Sequence, residues 1–284
     1  MTRKAGKSIR RLARPVTIRP TDTASADLVD LGTHPLPSHL FGEIFYSKDG
    51  HTTNAIPHRA LSEQDGKRAI AAAGIREMLV QHHVSPQHRQ AIERLGFATE
   101  QRRIKRFPTN SATQKCNLAE VVLAEYITAS TGTRLLVYRL RYNPNIEQSM
   151  KGDDVLAFDL DANPMRLIVG EAKYRETSSS TVVKEIIDAL IRSFKAGAPV
   201  SLPFIAEHLF DTNQVDIGER ILQCEGLISQ GQLKVDYMGL LMSDSNSARR
   251  VDSNTPATLR RLAMISLSVE DPDSLVDDCY STLE

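Results

Sequence analysis

The sequence predicts an α/β protein, with a mixed sheet flanked by helices and a mainly helical lobe ahead of it. Three observations carry this expectation. Residues 117–129 are apolar around almost the whole helical circumference, which marks a buried helix. Residues 155–160 and 167–169 are short apolar runs separated by Asp161, Ala162, Asn163 and Pro164, which is turn chemistry, so together they read as a β-hairpin. Val182, Val183, Ile186, Ile187, Leu190, Ile191 and Phe194 then recur at helical spacing. Helix, strands and helix in that order indicate an α/β arrangement with a mixed sheet.

In chain order, residues 1–25 read as a flexible basic tail: MTRKAGKSIRRLARP carries many cations, and no apolar run of the kind found in a secretory signal follows it. Residues 26–106 form the mainly helical lobe. Its first part is irregular, with short apolar runs at Leu40-Phe41 and Ile44 to Tyr46. A helix follows, with Ser62 as its expected cap and Ile70, Ile75, Met78 and Leu79 on its apolar side. A second helix has Ser85 as N-cap, Pro86 in its first turn and Gly96 as its stop. Residues 107–284 form a second domain, its core reaching to about 245 and a motif-free extension beyond. There the helix at 117–129 closes near Gly132, residues 134–141 have strand composition, and the hairpin and the 182–194 helix follow. A helix at 217–228 and strands at 235–242 and 264–269 complete the pattern.

Composition sets bounds on function. The 284 residues include 35 Lys+Arg and 35 Asp+Glu, so a protein that grips nucleic acid through overall positive charge is excluded. Basic residues are concentrated locally, in the N-terminal arm and at Arg102, Arg103, Lys105 and Arg106. Either these patches suffice to hold DNA or a partner supplies much of the contact. No stretch has the apolar length of a membrane span. Cys116, Cys224 and Cys279 are too scattered for a zinc site or a disulfide framework, and read as buried small apolar residues in a reducing cytoplasm.

The chemistry is concentrated in MKGDDVLAFDLDANPMRLIVGEAKYR. Asp154 opens one apolar run and Glu171 and Lys173 end the next, so a hairpin brings the three to one sheet end. Residues two apart on a strand share a face, which places Glu171 and Lys173 together. Carboxylate oxygens suit Mg²⁺ or Mn²⁺, and the Ala172 carbonyl offers one further oxygen. A divalent ion there neutralises charge on a phosphodiester and lowers the pKa of a bound water, while a neighbouring lysine orients that water or stabilises developing charge. The bland alternative is a surface hairpin whose Glu171 and Lys173 form a solvated ion pair; the long apolar runs beside them weigh against it.

Gly152-Asp153-Asp154 followed by Gly170-Glu171-Ala172-Lys173 resembles the GxD…ExK signature of the PD-(D/E)xK nuclease superfamily. That resemblance implies a restriction-endonuclease-like core, with Asp154 rather than Asp153 as the acidic ligand. Two adjacent Asp residues depart from the usual pattern and keep Asp153 as the substitute. The helix carrying Glu120 resembles the superfamily's leading helix, whose Glu often joins the metal site; the alternative is a carboxylate facing the helix N-terminus or a nearby arginine. More closely, NLAEVVLAEYI, YRLRYNPNIEQSMKGDDVLAFDLD and GEAKYRE resemble the nuclease subunits of Hachiman anti-phage systems, the HamA family, over residues 107–194. This implies a DNA-cleaving effector held in check by a superfamily 2-type helicase. Two rivals stand beside it: a free-standing restriction-like or repair nuclease, and a catalytically silent DNA-binding adaptor.

Other features carry less. Asp159, Asp161 and Asn163 imitate a calcium loop, but Pro164 replaces the required Gly and Gly170 the terminal Glu. His82, His83 and His88 read as charges near a helix end or surface residues rather than ligands. The glycines form no phosphate loop. Arg102, Arg103, Lys105 and Arg106 read equally as a DNA-backbone contact or an exposed basic segment. Lys184 and Arg192 face either a phosphate or solvent.

Overall fold

The computed structural model describes residues 28–95 and 106–283. The strands are β1 (Phe45–His51), β2 (Pro57–Glu63), β3 (Val155–Asp159), β4 (Arg166–Tyr174), β5 (Lys234–Ser243) and β6 (Leu262–Ser268). They form one sheet in the order β1-β2-β6-β5-β4-β3. The four central strands run parallel, and the β1–β2 and β3–β4 hairpins make both outer pairs antiparallel. The sheet is therefore mixed and flanked by helices.

Strand alternation divides the apolar residues between two layers. Val155, Ala157, Ile168, Ala172, Leu240, Ile265 and Leu267 face a core shared with α1 (Leu40–Ile44), α2 (Arg68–His83), α4 (Ser111–Thr131) and α9 (Pro272–Tyr280). Phe158, Leu167, Val169, Leu241 and Met264 face α5 (Ser180–Ala196), α6 (Leu202–Asp211), α7 (Val215–Ser229) and α8 (Ser247–Asn254). The remaining helix, α3 (Pro86–Leu95), follows α2. As its pattern predicts, α4 is buried along most of its length, and Gly132 ends it in the left-handed conformation at φ 73°.

At the end of the sheet away from the open end of the β3–β4 hairpin, Asp236 is fully buried between two arginines. Its Oδ2 lies 2.6 Å from Arg166 Nε, and its Oδ1 pairs with Arg261. A buried carboxylate needs such partners, because its hydration is lost on folding.

Several sequence expectations are corrected. Residues 45–63, within the stretch expected to be mainly helical, supply β1 and β2 of the central sheet. Ser62 lies within β2, and the next helix begins at Arg68. The pattern hides β2 because His58 and Arg59 are buried in it; His58 is satisfied by Ser266, and Arg59 by Asp49 and the carbonyls of Leu31 and Gly32. Residues 134–141 form no strand. Arg134 makes one bridge to Phe158, and a 3₁₀ turn follows at Arg139–Tyr142. The strand expected at 264–269 is borne out as β6, which lies inside the sheet between β2 and β5. Ser85 does cap α3, accepting from the His88 N–H at 3.2 Å. The expected tail at 1–25, Gly96, and Arg102, Arg103 and Lys105 lie outside the described residues.

Candidate active site

Register assembles the site. Val155 pairs with Gly170, so Asp154, one residue before β3, stands across from Glu171 at the hairpin's open end. The Ala172 N–H donates to Asp154 Oδ2 at 3.0 Å. The N–H and C=O of a residue in a ladder point to the same side, so the Ala172 carbonyl faces this opening, beyond the first residue of β3. Lys173 follows on the Glu171 face, and its Nζ contacts Glu171 Oε1. Glu120 enters from α4, buried at 8% exposure, with its Oε1 3.2 Å from Arg139 Nε. That approach is an ion pair without hydrogen-bond alignment. The four sequence-predicted residues are thus brought to one place.

The adjacent aspartates have separate roles. Asp153 accepts from Ser193 Oγ at 2.9 Å and from the Ser201 N–H at 3.0 Å, and its own N–H donates to Ser201 Oγ. Both its oxygens are engaged by α5 and the start of α6, so Asp153 ties the hairpin to those helices. Gly152 is required beside it: φ is 118°, and a Cβ would lie 2.6 Å from Ser201 Oγ. The NPN segment is also architectural. Asn143 Oδ1 and Asn145 Oδ1 accept from the Asn145 and Glu147 N–H groups. Glu147 then takes the Thr109 and Asn110 N–H groups at 2.9 and 3.0 Å, holding the turn against the start of α4.

The acids crowd one another. Burial raises the Glu120 carboxyl to about 8; Arg139 opposes the rise, and Asp154 and Glu171 add to it. Glu171 is raised by burial and by Asp154, and Asp154 is raised by burial against the pull of Lys173 and the Ala172 N–H. Burial lowers the Lys173 ammonium, but Glu171 and Asp154 outweigh it and hold it above its usual value. Three carboxyls compete for two cations, Lys173 and Arg139.

This donor set fits a divalent cation. Glu120 and Asp154 line a cavity of about 20 Å³, room for one water-sized particle. Mg²⁺ commonly takes one or two carboxylates and keeps several waters, which Asp154, Glu171 and the Ala172 carbonyl would allow, with Glu120 beside them. Among the described residues, no three acidic, histidine or cysteine side chains are grouped to hold a metal ion as they stand. Glu171 is turned to Lys173 and Glu120 to Arg139.

Adjoining the cluster at Glu171, a cleft of about 270 Å³ opens between β4 and α5, lined also by Gly170, Ala189 and Arg192. Lys184 is exposed and paired with Asp188 one helical turn on, a solvated helix face. His82 and His83 are buried, contrary to their reading as surface residues: His82 Nε2 lies 2.7 Å from Glu125, and His83 packs on Phe107. Cys224 and Cys279 are buried as expected, but Cys116 is exposed. Sequence reasoning missed Arg139, because residues 134–141 were assigned to a strand; the basic and aromatic run YRLRY was the available signal.

A model of the HamA family matches residues 41–283. The chain is also 31% identical over 269 residues to the Hachiman protein HamA of Bacillus cereus, covering 92% of this chain and 96% of that protein. Matches of this extent take in both hairpins, the helix bearing Glu120 and the whole acidic cluster, and the chain belongs to the HamA family.

Proposed function

We propose that this protein is a metal-dependent DNA nuclease of PD-(D/E)xK type, acting as the effector of a Hachiman anti-phage defence complex under the control of a partner helicase. The observation that carries the chemistry is the meeting of Asp154, Glu171 and Lys173 at the open end of one hairpin, with Glu120 against them. Asp154, Glu171 and the Ala172 carbonyl would hold Mg²⁺ or Mn²⁺, and Glu120 would complete or support that shell. The bound ion would supply charge neutralisation at the scissile phosphate and a more acidic water. Lys173 keeps its proton beside the carboxylates, so it serves as a hydrogen-bond donor that orients the water or meets developing negative charge. The defence role follows from the similarity to the Hachiman protein, and the neutral charge balance is compatible with DNA contact shared with a partner.

The test is cleavage of plasmid and linear DNA with Mg²⁺ or Mn²⁺ by the wild type and the Glu171→Ala/Lys173→Ala variant, each alone and with its co-expressed helicase partner. Wild-type cleavage that the variant loses supports the site, and the partner's effect reads out control. A folded variant that cuts as fast as wild type overturns the assignment.

A further inference from the structure

Behind the 3₁₀ turn at Arg139–Tyr142 lies a second cleft, of about 150 Å³, lined by His83, His88, Arg106, Arg141 and Tyr142 among others. Its cations differ from several more deeply buried arginines of the molecule, which have carboxylate partners. Arg59 has Asp49, Arg139 has Glu120, and Arg166 has Asp236. Neither Arg106 nor Arg141 is paired with a carboxylate among the described residues. Arg106 Nη2 is 3.4 Å from His88 Nε2, and its Nε is shielded from solvent without a hydrogen-bond partner. Arg141 gives Nε and Nη2 to a neutral acceptor, the Gln81 carbonyl, at 3.0 and 2.6 Å, and its guanidinium lies over the Tyr138 ring at 4.3 Å. Two guanidiniums from separate segments therefore converge on a concave space with uncompensated charge and unused N–H groups. Planar guanidinium donors match phosphate oxygens better than any other side chain does.

We infer that this cleft is a phosphate-binding subsite that holds the backbone of a nucleic-acid strand while a neighbouring part of that strand lies at the acidic cluster. The inference rests on the nuclease reading for the strand's destination. Its geometric support is the turn itself: Arg139 points to Glu120 on one side, and Arg141 lines the cleft on the other. Two residues of chain span at most about 7 Å, so the phosphate held by Arg141 belongs within a few nucleotides of the cluster. Burial holds the Arg141 guanidinium below its usual pKa, and an anion in the cleft would offset that cost.

The experiment measures binding of a short fluorescein-labelled single-stranded DNA, and of its duplex, to the full-length chain in EDTA. The proteins are wild type, Arg106→Gln/Arg141→Gln, Arg141→Lys and Asp154→Ala. The double variant is expected to bind about tenfold to a hundredfold more weakly, with a shallower dependence of affinity on salt. Arg141→Lys should retain part of the affinity, and inorganic phosphate should compete on wild type but not on the double variant. Wild-type affinity and salt slope in a double variant that melts normally overturn the inference. Phosphate binding that needs the two arginines, with DNA binding that does not, overturns the strand assignment in favour of a free-anion site. If the double variant fails to fold, the His88 ring resonances of wild type decide: they should shift when inorganic phosphate or the oligonucleotide is added, and no shift refutes the subsite. Asp154→Ala separates the two readings. Arginine-dependent DNA binding without cleavage under any condition sinks the nuclease and keeps the subsite, whereas cleavage with arginine-independent binding does the reverse.

Discussion

Replacing Glu120 by Gln should make the metal-free protein more stable while impairing its response to metal. The Glu120 carboxyl is raised from 4.5 to about 8, chiefly by burial. A carboxyl that binds its proton more tightly folded than unfolded contributes stability fully present below the unfolded pKa, and that stability is lost as pH rises through the folded pKa. Each unit is worth about 1.4 kcal/mol, so at pH 7 the ionisation tendency of this one group opposes folding by up to about 3 kcal/mol. Asp154 and Glu171 share the same excess of negative charge, so part of the strain persists when Glu120 is neutral. A gain of roughly 1–3 kcal/mol remains, or about 2–10 °C in melting temperature for a chain of this size. The assay is thermal unfolding in EDTA at pH 6 and pH 8. Wild type should lose stability between the two values, and Glu120→Gln should lose less and melt higher at pH 8. Added Mn²⁺ should raise the wild-type midpoint more than that of the variant. A variant that melts below wild type at pH 8, or one that shows the same pH dependence, would refute the account of a strained acidic cluster.

Three further outcomes follow from the same geometry. Asp153→Ala should cost about 1–3 kcal/mol of stability, because it strands the Ser193 and Ser201 donors, yet leave Mn²⁺ affinity near wild type; Asp154→Ala should do the opposite, and calorimetric Mn²⁺ titration beside urea unfolding distinguishes them. Asp236→Ala leaves Arg166 and Arg261 buried without their carboxylate and should cost about 3–5 kcal/mol in urea unfolding; a loss below about 1 kcal/mol contradicts the buried-triad account. His83 is lowered to about 4, by burial first and His82 second, so its stabilising neutrality is present above pH 6.5 and is lost as pH falls toward 4. The loss approaches about 1.4 kcal/mol per unit, and His83→Gln should flatten the acid limb of a stability-against-pH curve relative to wild type.

The hairpin and its acids were legible because their information is local. Two apolar runs, a polar turn and the two-residue spacing of Glu171 and Lys173 determine which side chains meet, whatever surrounds them. The helix bearing Glu120 was legible from its apolar circumference. What the sequence concealed depends on distant partners. His58 and Arg59 look unsuited to an inner strand until Ser266 and Asp49 satisfy them. His82 looks like a surface residue until Glu125 meets it inside. Arg139 and Arg141 lie in a segment of strand-like composition, but their side chains are held by Glu120, the Met150 carbonyl and the Gln81 carbonyl, and the backbone closes into a 3₁₀ turn instead. Periodicity registers burial, not which remote group makes burial of a charge tolerable.

The position of β6 has a consequence for biosynthesis. His58 pairs with Met264, so adjacent strands in the middle of the sheet come from opposite ends of the described chain. On the ribosome, the β1–β2 hairpin and the β3–β4–β5 unit can each form early, but they have no strand between them until β6 emerges. Pairing across so large a sequence separation is slow, and it leaves two strand edges open in the meantime. A nascent chain released before residue 262 would carry every member of the acidic cluster and no closed sheet to support it. For the proposed nuclease, late closure would tie the appearance of a rigid acidic cluster to completion of the polypeptide.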